Sequence, residues 1–385
     1  MRRIYFDYAA STPMHPLVQK TMRRCDTQAY ANASAAHGPG RMAAAIIDAA
    51  RQEIAWLISC KPQEIIFTSG ATESCNLALM GLLAPGDHCI VGPLEHAAIA
   101  EPAGALERRG VAITRLPCAI DGAIDFENVR EVITDQTKMI SVQWVNNEIG
   151  VVQEMQKLFA IIAEINQDRL RRGLNKIYIH SDASQAGAYF ELNAATMPFD
   201  LLTLSAHKMF GPKGIGALFV RAGVPLRPMY YGGGQQYGLR PGTLPTALIA
   251  GFGAAALYVR KNREVLYAKV TNLRQLLFLT LQDRIPTFHA TSVAIVAPHI
   301  LHGAIPGIDY EVALIALDRA GISVAAGAAC AAGAIEPSRV LTAIGYDVKL
   351  QHSVLRFSIG PFLTQRDIII GGRRCADVLM ALLHR

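Results

Sequence analysis

Apolar runs recur along the first 220 residues, bounded by polar or turn-forming residues and separated by segments of helical length. They fall at Ile65–Thr68, His88–Gly92, Val111–Leu116, Met139–Val145, Ile177–Asp182, Leu201–Ser205 and Ile215–Val220. Their length and composition suit buried strands. Strand and helix alternating in this way predict a largely parallel sheet with helices on both faces. Ahead of them, Tyr5 to Pro13 reads as a short strand leading into a Pro-broken loop. Residues 41 to 58 carry a helical apolar pattern, with Asp48, Arg51 and Glu53 on the polar face. After Val220 the texture changes. Gly232-Gly233-Gly234 and Arg240-Pro241-Gly242-Thr243 form a Gly-rich connector, and Leu244 to about Glu264 reads as a helix leaving the sheet. Strand candidates at Ser292–Val296, Ser323–Ala325 and Val354–Ile359 predict a smaller α+β domain. The expected division is 14–260 for a large domain, with 1–13 and 261–385 forming the small one.

Composition narrows the class. Of 385 residues, 51% are hydrophobic and 18% charged, as expected of a globular enzyme and not of a disordered chain. The net charge of +6 is spread out, and the one local cluster, Arg169, Arg171 and Arg172, ends a helical pattern where cations suit the helix dipole. No nucleic-acid partner is expected. Seven cysteines, at 25, 60, 75, 89, 118, 330 and 375, make no CxxC pair and no metal-ligand spacing. They read as reduced thiols, and no metal is expected. No apolar run reaches the length of a membrane span and no leader pattern precedes Phe6, so a cytoplasmic protein is expected.

The candidate chemistry gathers at strand ends. Lys208 follows the run Leu201–Ser205, beside His207 and ahead of Gly211, Pro212 and Gly214. A lysine there is either a solvated loop residue or one able to form a Schiff base with a carbonyl cofactor. Asp182 ends the preceding run, Ile177–Asp182, and decides between them. A carboxylate to hold a pyridine proton and a lysine to hold an aldehyde are the two groups pyridoxal phosphate needs. Gly70-Ala71-Thr72-Glu73-Ser74 turns from a strand into a helix, and is either a plain helix cap or a phosphate site. Ser205 and His207, converging from another strand end, favour the phosphate. His96 lies just beyond the run His88–Gly92, either as a structural histidine or stacked on a cofactor ring. Arg356 sits in an apolar strand and needs an anion, either an internal carboxylate or a bidentate substrate carboxylate. Cys330 lies in a Gly/Ala stretch without large neighbours, which suits a mobile loop that carries a thiolate.

Motifs along nearly the whole chain carry a family resemblance: FDYAASTP, FTSGATES, LEH, VNNEIGVVQ, HSDASQ with SAHKMFGPKGIG, RPGTLP, the Cys330 loop before EPS, and LRFSIG. The chain resembles the cysteine desulfurases of the NifS/IscS kind, among the class V, fold-type I pyridoxal-phosphate enzymes. The resemblance implies an α/β fold-type I transferase with a seven-stranded, mostly parallel sheet in the large domain, acting as a homodimer. It implies pyridoxal 5'-phosphate held by Ala71, Thr72, His96, Asn147, Asp182, Gln185, Ser205, His207 and Lys208, with Thr243 reaching the partner subunit's phosphate. Asn147 and Gln185 would meet the ring oxygen, and Asn147 and Arg356 the substrate carboxylate. Lys208, His96 and Cys330 would be catalytic, converting L-cysteine to L-alanine and leaving a persulfide for a sulfur-acceptor protein, as in iron-sulfur cluster assembly. A selenocysteine lyase, an aminotransferase or a non-catalytic relative is the alternative.

The chain also departs from that pattern. The serine-rich nucleophile loop, SSGSAC, is here AAGAAC, which lacks hydroxyl donors near Cys330. HGGGQE becomes Tyr231 to Gln236 (YGGGQQ), RSGT becomes Arg240 to Thr243 (RPGT), and NPSS becomes Asn32 to Ala35 (NASA). The spacing from Cys330 to Glu336-Pro337-Ser338 matches the longer-loop group. The extended tail with which some members dock a scaffold protein is not expected here.

Overall fold

The protein is described by a computed structural model that covers residues 2–291, 293, 295–326 and 338–384. Twelve strands lie in the described residues: β1 (Ile4–Tyr5), β2 (Ile65–Thr68), β3 (His88–Val91), β4 (Ala112–Arg115), β5 (Thr137–Ser141), β6 (Tyr178–Asp182), β7 (Leu201–Ser205), β8 (Gly216–Val220), β9 (His289–Ala290), β10 (Ile300–Ala304), β11 (Ile322–Ser323) and β12 (Val354–Ser358). Seven of them form the main sheet, in the order β2-β8-β7-β6-β5-β3-β4. Its pairs are parallel except those of β8, which runs antiparallel to both β2 and β7. All seven runs expected as strands of the large sheet are present. Helices cover both faces, so β2, β3, β7 and β8 are buried throughout and carry apolar runs without alternation.

Three expectations need correction. The fifth strand begins earlier, at Thr137, and its ladder runs past Ser141: the amides of Val142 and Trp144 donate to the carbonyls of His180 and Asp182. The helix after the Gly-rich connector runs from Thr246 to Arg284, not to about 264. Leu266, Val270, Leu273, Leu277 and Leu281 keep a helical stripe buried over its second half, and Pro286 ends it by restricting Ile285. Its 39 residues span about 58 Å and pack against the helices Pro16–Gln28, Gly38–Ile58 and Gln365–Leu383. The expected strand Ser292–Val296 is replaced by β9 just upstream and an isolated bridge at Val296; Ser292 and Ala294 lie outside the described residues. Its sheet partner, β10, escaped notice because His302 and Gly303 interrupt the apolar run, although every residue of it is buried.

The antiparallel sheet β12-β10-β9 and the parallel pair β1-β11 complete the fold. β1 ties early residues to late ones: Phe6 accepts from the Ser358 amide and donates to the Ser323 carbonyl. One apolar cluster runs from Ile4 and Phe6 through the sheet to Phe357 and Leu379. Among the described residues no helix is long and apolar enough to cross a membrane.

Candidate active site

A cavity of about 580 Å³ opens at the carboxyl ends of β2, β6 and β7. It is lined by Ala71, Thr72, His96, Asn147, Asp182, Gln185, Ser205, His207 and Lys208, so nine sequence-predicted residues meet there. Strand ends supply them because a parallel sheet delivers every strand's following loop to the same edge.

Asp182 ends β6 and is 4% exposed. The Ser184 amide and hydroxyl both donate to its Oδ1, at 2.9 and 2.6 Å, which fixes the carboxylate. Lys208 leaves β7 through the short turn Ala206–Lys208. Its Nζ donates to the carbonyls of Ala9 and Ala10. Burial first, then the Arg356 cation, push this amine down to about 8, against the opposing pull of Asp182 and Asp7.

The turn after β2 bears on the choice between cap and phosphate site. Gly70 stands at the N-cap of the helix Ala71–Leu82, and no side chain caps it. Glu73 accepts instead from the Ser69 amide at 2.6 Å, from Tyr230 and from Arg240. Burial raises that carboxyl, but these hydrogen bonds outweigh it and hold it at about 2. Ser205 Oγ is buried beside the turn with no partner among the described residues. The turn can approach β8 so closely because residue 216 is glycine: a Cβ there would lie 2.7 Å from the Gly70 carbonyl carbon.

His96 has a structural role and also borders the cavity. It caps the helix Ala97–Glu107, with Nδ1 accepting from the Ala98 amide at 3.1 Å, and it lines the cavity. Burial lowers its pKa, Asp182 opposes that and Lys208 adds to it. With Nδ1 accepting, Nε2 carries the ring proton. His207 is pushed down to about 4 by burial and by Lys208 and Lys213, so its ring stays neutral near Ser11.

Arg356 does not line the cavity, and its guanidinium holds an internal anion: Nη2 donates to Asp7 at 2.8 Å and Nη1 to the Asn147 carbonyl at 2.9 Å. Its Nε, also buried, has no partner among the described residues. The internal-carboxylate reading therefore describes this state, with donors left over for a second anion. Thr243 is exposed and outside the lining, and Cys330 lies outside the described residues. The sequence reading missed Gln143, Ser184, Ser11 and the Ala9 and Ala10 carbonyls. Ser184 and the alanines lie inside quoted motifs, HSDASQ and FDYAASTP, but a carbonyl acceptor leaves no mark in a sequence.

These groups fit pyridoxal phosphate: an uncapped helix N-terminus and an unspent hydroxyl for a phosphate, a fixed carboxylate lining the cavity for a pyridine N–H, and a lysine of lowered basicity.

Comparison with known proteins agrees. The family model for class-V aminotransferases matches residues 4–370. A cysteine desulfurase IscS from Acinetobacter baumannii (strain SDF) is 38% identical over 377 residues, covering 95% of this chain and 90% of the relative. One from Dictyoglomus turgidum is 35% identical over 372 residues, covering 95% and 92%. A solved NifS-like protein superposes with a TM-score of 0.90 at 28% identity, covering 98% of this chain and 100% of its own. The chain therefore belongs to the class-V aminotransferase family and, within it, to the pyridoxal-phosphate-dependent cysteine desulfurases of the NifS/IscS kind.

Proposed function

We propose that the protein converts L-cysteine to L-alanine and leaves the sulfur as a persulfide on Cys330, from which an acceptor protein takes it. The observation that carries this reading is the convergence of Lys208, Asp182 and the uncapped turn at Ala71 and Thr72 in one cavity. Bound pyridoxal phosphate supplies an aldehyde for an amino group and a protonated ring that withdraws electrons from the substrate's Cα. Ala71 and Thr72 amides and the Ser205 hydroxyl hold the phosphate, and His207 adds a neutral donor or acceptor. Asp182 keeps the ring proton in place. Lys208, with a basicity near neutral pH, takes the Cα proton. His96 covers the ring and passes a proton through Nε2. Arg356 and Asn147 bind the substrate carboxylate. The Cys330 thiolate attacks the substrate sulfur: an S–S bond forms, the Cβ–S bond breaks with its electron pair left on the substrate carbon, and Cβ gains a proton.

The wider reading is a homodimer acting in the cytoplasm, with exposed Thr243 turned to the partner subunit's phosphate. Residues 14–260 would form the cofactor-binding unit, with 1–13 and 261–385 carrying the cysteine loop. Iron-sulfur cluster assembly is the process it would feed, in keeping with the IscS relatives.

The test is Cys330→Ser. Spectral changes on adding cysteine should persist, since they need only Lys208, Asp182 and Arg356, while alanine release and the Cys330 persulfide seen by mass spectrometry should disappear. Alanine formation at the parent rate would overturn the reading and point to a selenocysteine lyase or another class-V reaction.

A further inference from the structure

A buried histidine outside the predicted site is bonded to one of its members. His299, 3% exposed, lies just before β10, and its carbonyl accepts from the Ile359 amide, which follows β12. Its ring stacks on Tyr189 with centroids 4.6 Å apart and 22° between the planes. Its Nε2 lies 2.9 Å from Gln185 Oε1. The other end of that amide, Gln185 Nε2, donates to the Ala9 carbonyl at 2.9 Å. The same carbonyl accepts from Lys208 Nζ.

The orientation of every group in this chain follows from one fact. A backbone carbonyl only accepts, so the Gln185 amide must turn its NH₂ toward Ala9 and its oxygen toward His299. His299 must then donate, which places its proton on Nε2 and leaves Nδ1 a bare lone pair. Nδ1 has no partner among the described residues. Burial, with the cations Lys208 and Arg356, keeps the ring neutral, its pKa down at about 3. Gln185 Nε2 carries two hydrogens. One is spent on Ala9, and Gln185 lines the cavity, so the second is available to an acceptor there.

We propose that His299 is a positioning residue: its Nε2–H locks the Gln185 amide so that an N–H, not the carbonyl oxygen, faces the cofactor's ring oxygen. This rests on the functional reading above, since the free N–H needs that oxygen as its acceptor. Without the lock, only the Ala9 carbonyl sets the amide's orientation, and a flip that turns its oxygen toward the ring, setting two acceptors against each other, becomes less costly. The Ala9 carbonyl, released by Gln185, would then bond Lys208 alone.

The test titrates apoprotein with pyridoxal 5'-phosphate and with its 3-deoxy analogue, which lacks the ring oxygen. His299→Phe keeps a ring on Tyr189 but removes the donor. It should weaken pyridoxal phosphate binding about tenfold, the size of one buried hydrogen bond, and leave analogue binding unchanged. His299→Gln, whose amide nitrogen stands as many bonds from Cβ as the imidazole Nε2, should restore most of the loss. In Gln185→Leu, adding His299→Phe should cost nothing further. Equal losses for both ligands, or additive losses in the double variant, would overturn the assignment and make His299 a packing residue only. Failure of the parent apoprotein to bind pyridoxal phosphate would overturn the functional reading itself, and this proposal with it.

Discussion

Lys208 tests whether burial or hydrogen bonding sets the basicity of the central amine. Burial and Arg356 lower it from an ordinary 10.5 to about 8, while the Ala9 and Ala10 carbonyls favour the ammonium. Only the neutral amine attacks an aldehyde. At pH 7 an amine of pKa about 8 is neutral roughly one time in ten, against about one in 3,000 for an ordinary lysine. Capture of pyridoxal phosphate by apoprotein at pH 7 should therefore run about 300-fold faster than on a free lysine of the same intrinsic reactivity. The assay follows the visible absorbance of capture from pH 6 to 10.5, and the rate should rise through a midpoint near 8. Arg356→Met removes a cation that lowers the amine, so its midpoint should move up. The same shift reaches stability. The unfolded chain keeps this proton up to about 10.5 and the folded apoprotein only to about 8. The contribution is complete above 10.5 and is lost as pH falls through 8, by roughly 3 kcal/mol. A capture midpoint at 10 or above would refute the reasoning: the two carbonyls would then outweigh burial.

Two further outcomes follow from contacts described above. Asp182→Asn keeps an acceptor for the Ser184 donors but loses the charge that faces the ring, so cofactor should remain bound while alanine formation falls at least 100-fold; near-parent turnover would exclude Asp182 as the ring partner. Asp7→Ala strands the Arg356 guanidinium, 6% exposed in its side chain, and should cost about 3 kcal/mol of stability in a denaturant titration, part of which Arg356→Met in the same chain should recover.

The strand ends could be read from the sequence because parallel strands buried on both faces leave unbroken apolar runs, and the polar residue ending each run then stands out. Asp182, Lys208 and His96 announce themselves in this way. Arg356 was visible as a charge in an apolar strand, but not its partner: Asp7 lies 349 residues away, and only the folded chain brings the two together. His299 was harder still, because its run is cut by polar residues and its role depends on the orientation of a distant amide. The second half of the helix Thr246–Arg284 was lost for another reason. Charged and polar residues on its outer face dilute a stripe that only its packing partners make evident.

The pairing of β1 with β11 sets an order of assembly. Asp7 and Ala9 are synthesised long before Lys208, and longer still before Ser323, Ser358 and Arg356, which hold their segment down. β2, which leads into the turn at Gly70, likewise waits for β8 about 150 residues later, since among the described residues that is its one neighbour in the sheet. Loops this long close slowly. A growing chain thus leaves the Ala9 and Ala10 carbonyls, which bond Lys208, unanchored until Ser323 and Ser358 arrive. Nascent chains stalled before residue 320 should be degraded or bound by chaperones rather than loaded with cofactor, because the segment around Ala9 is not yet held down.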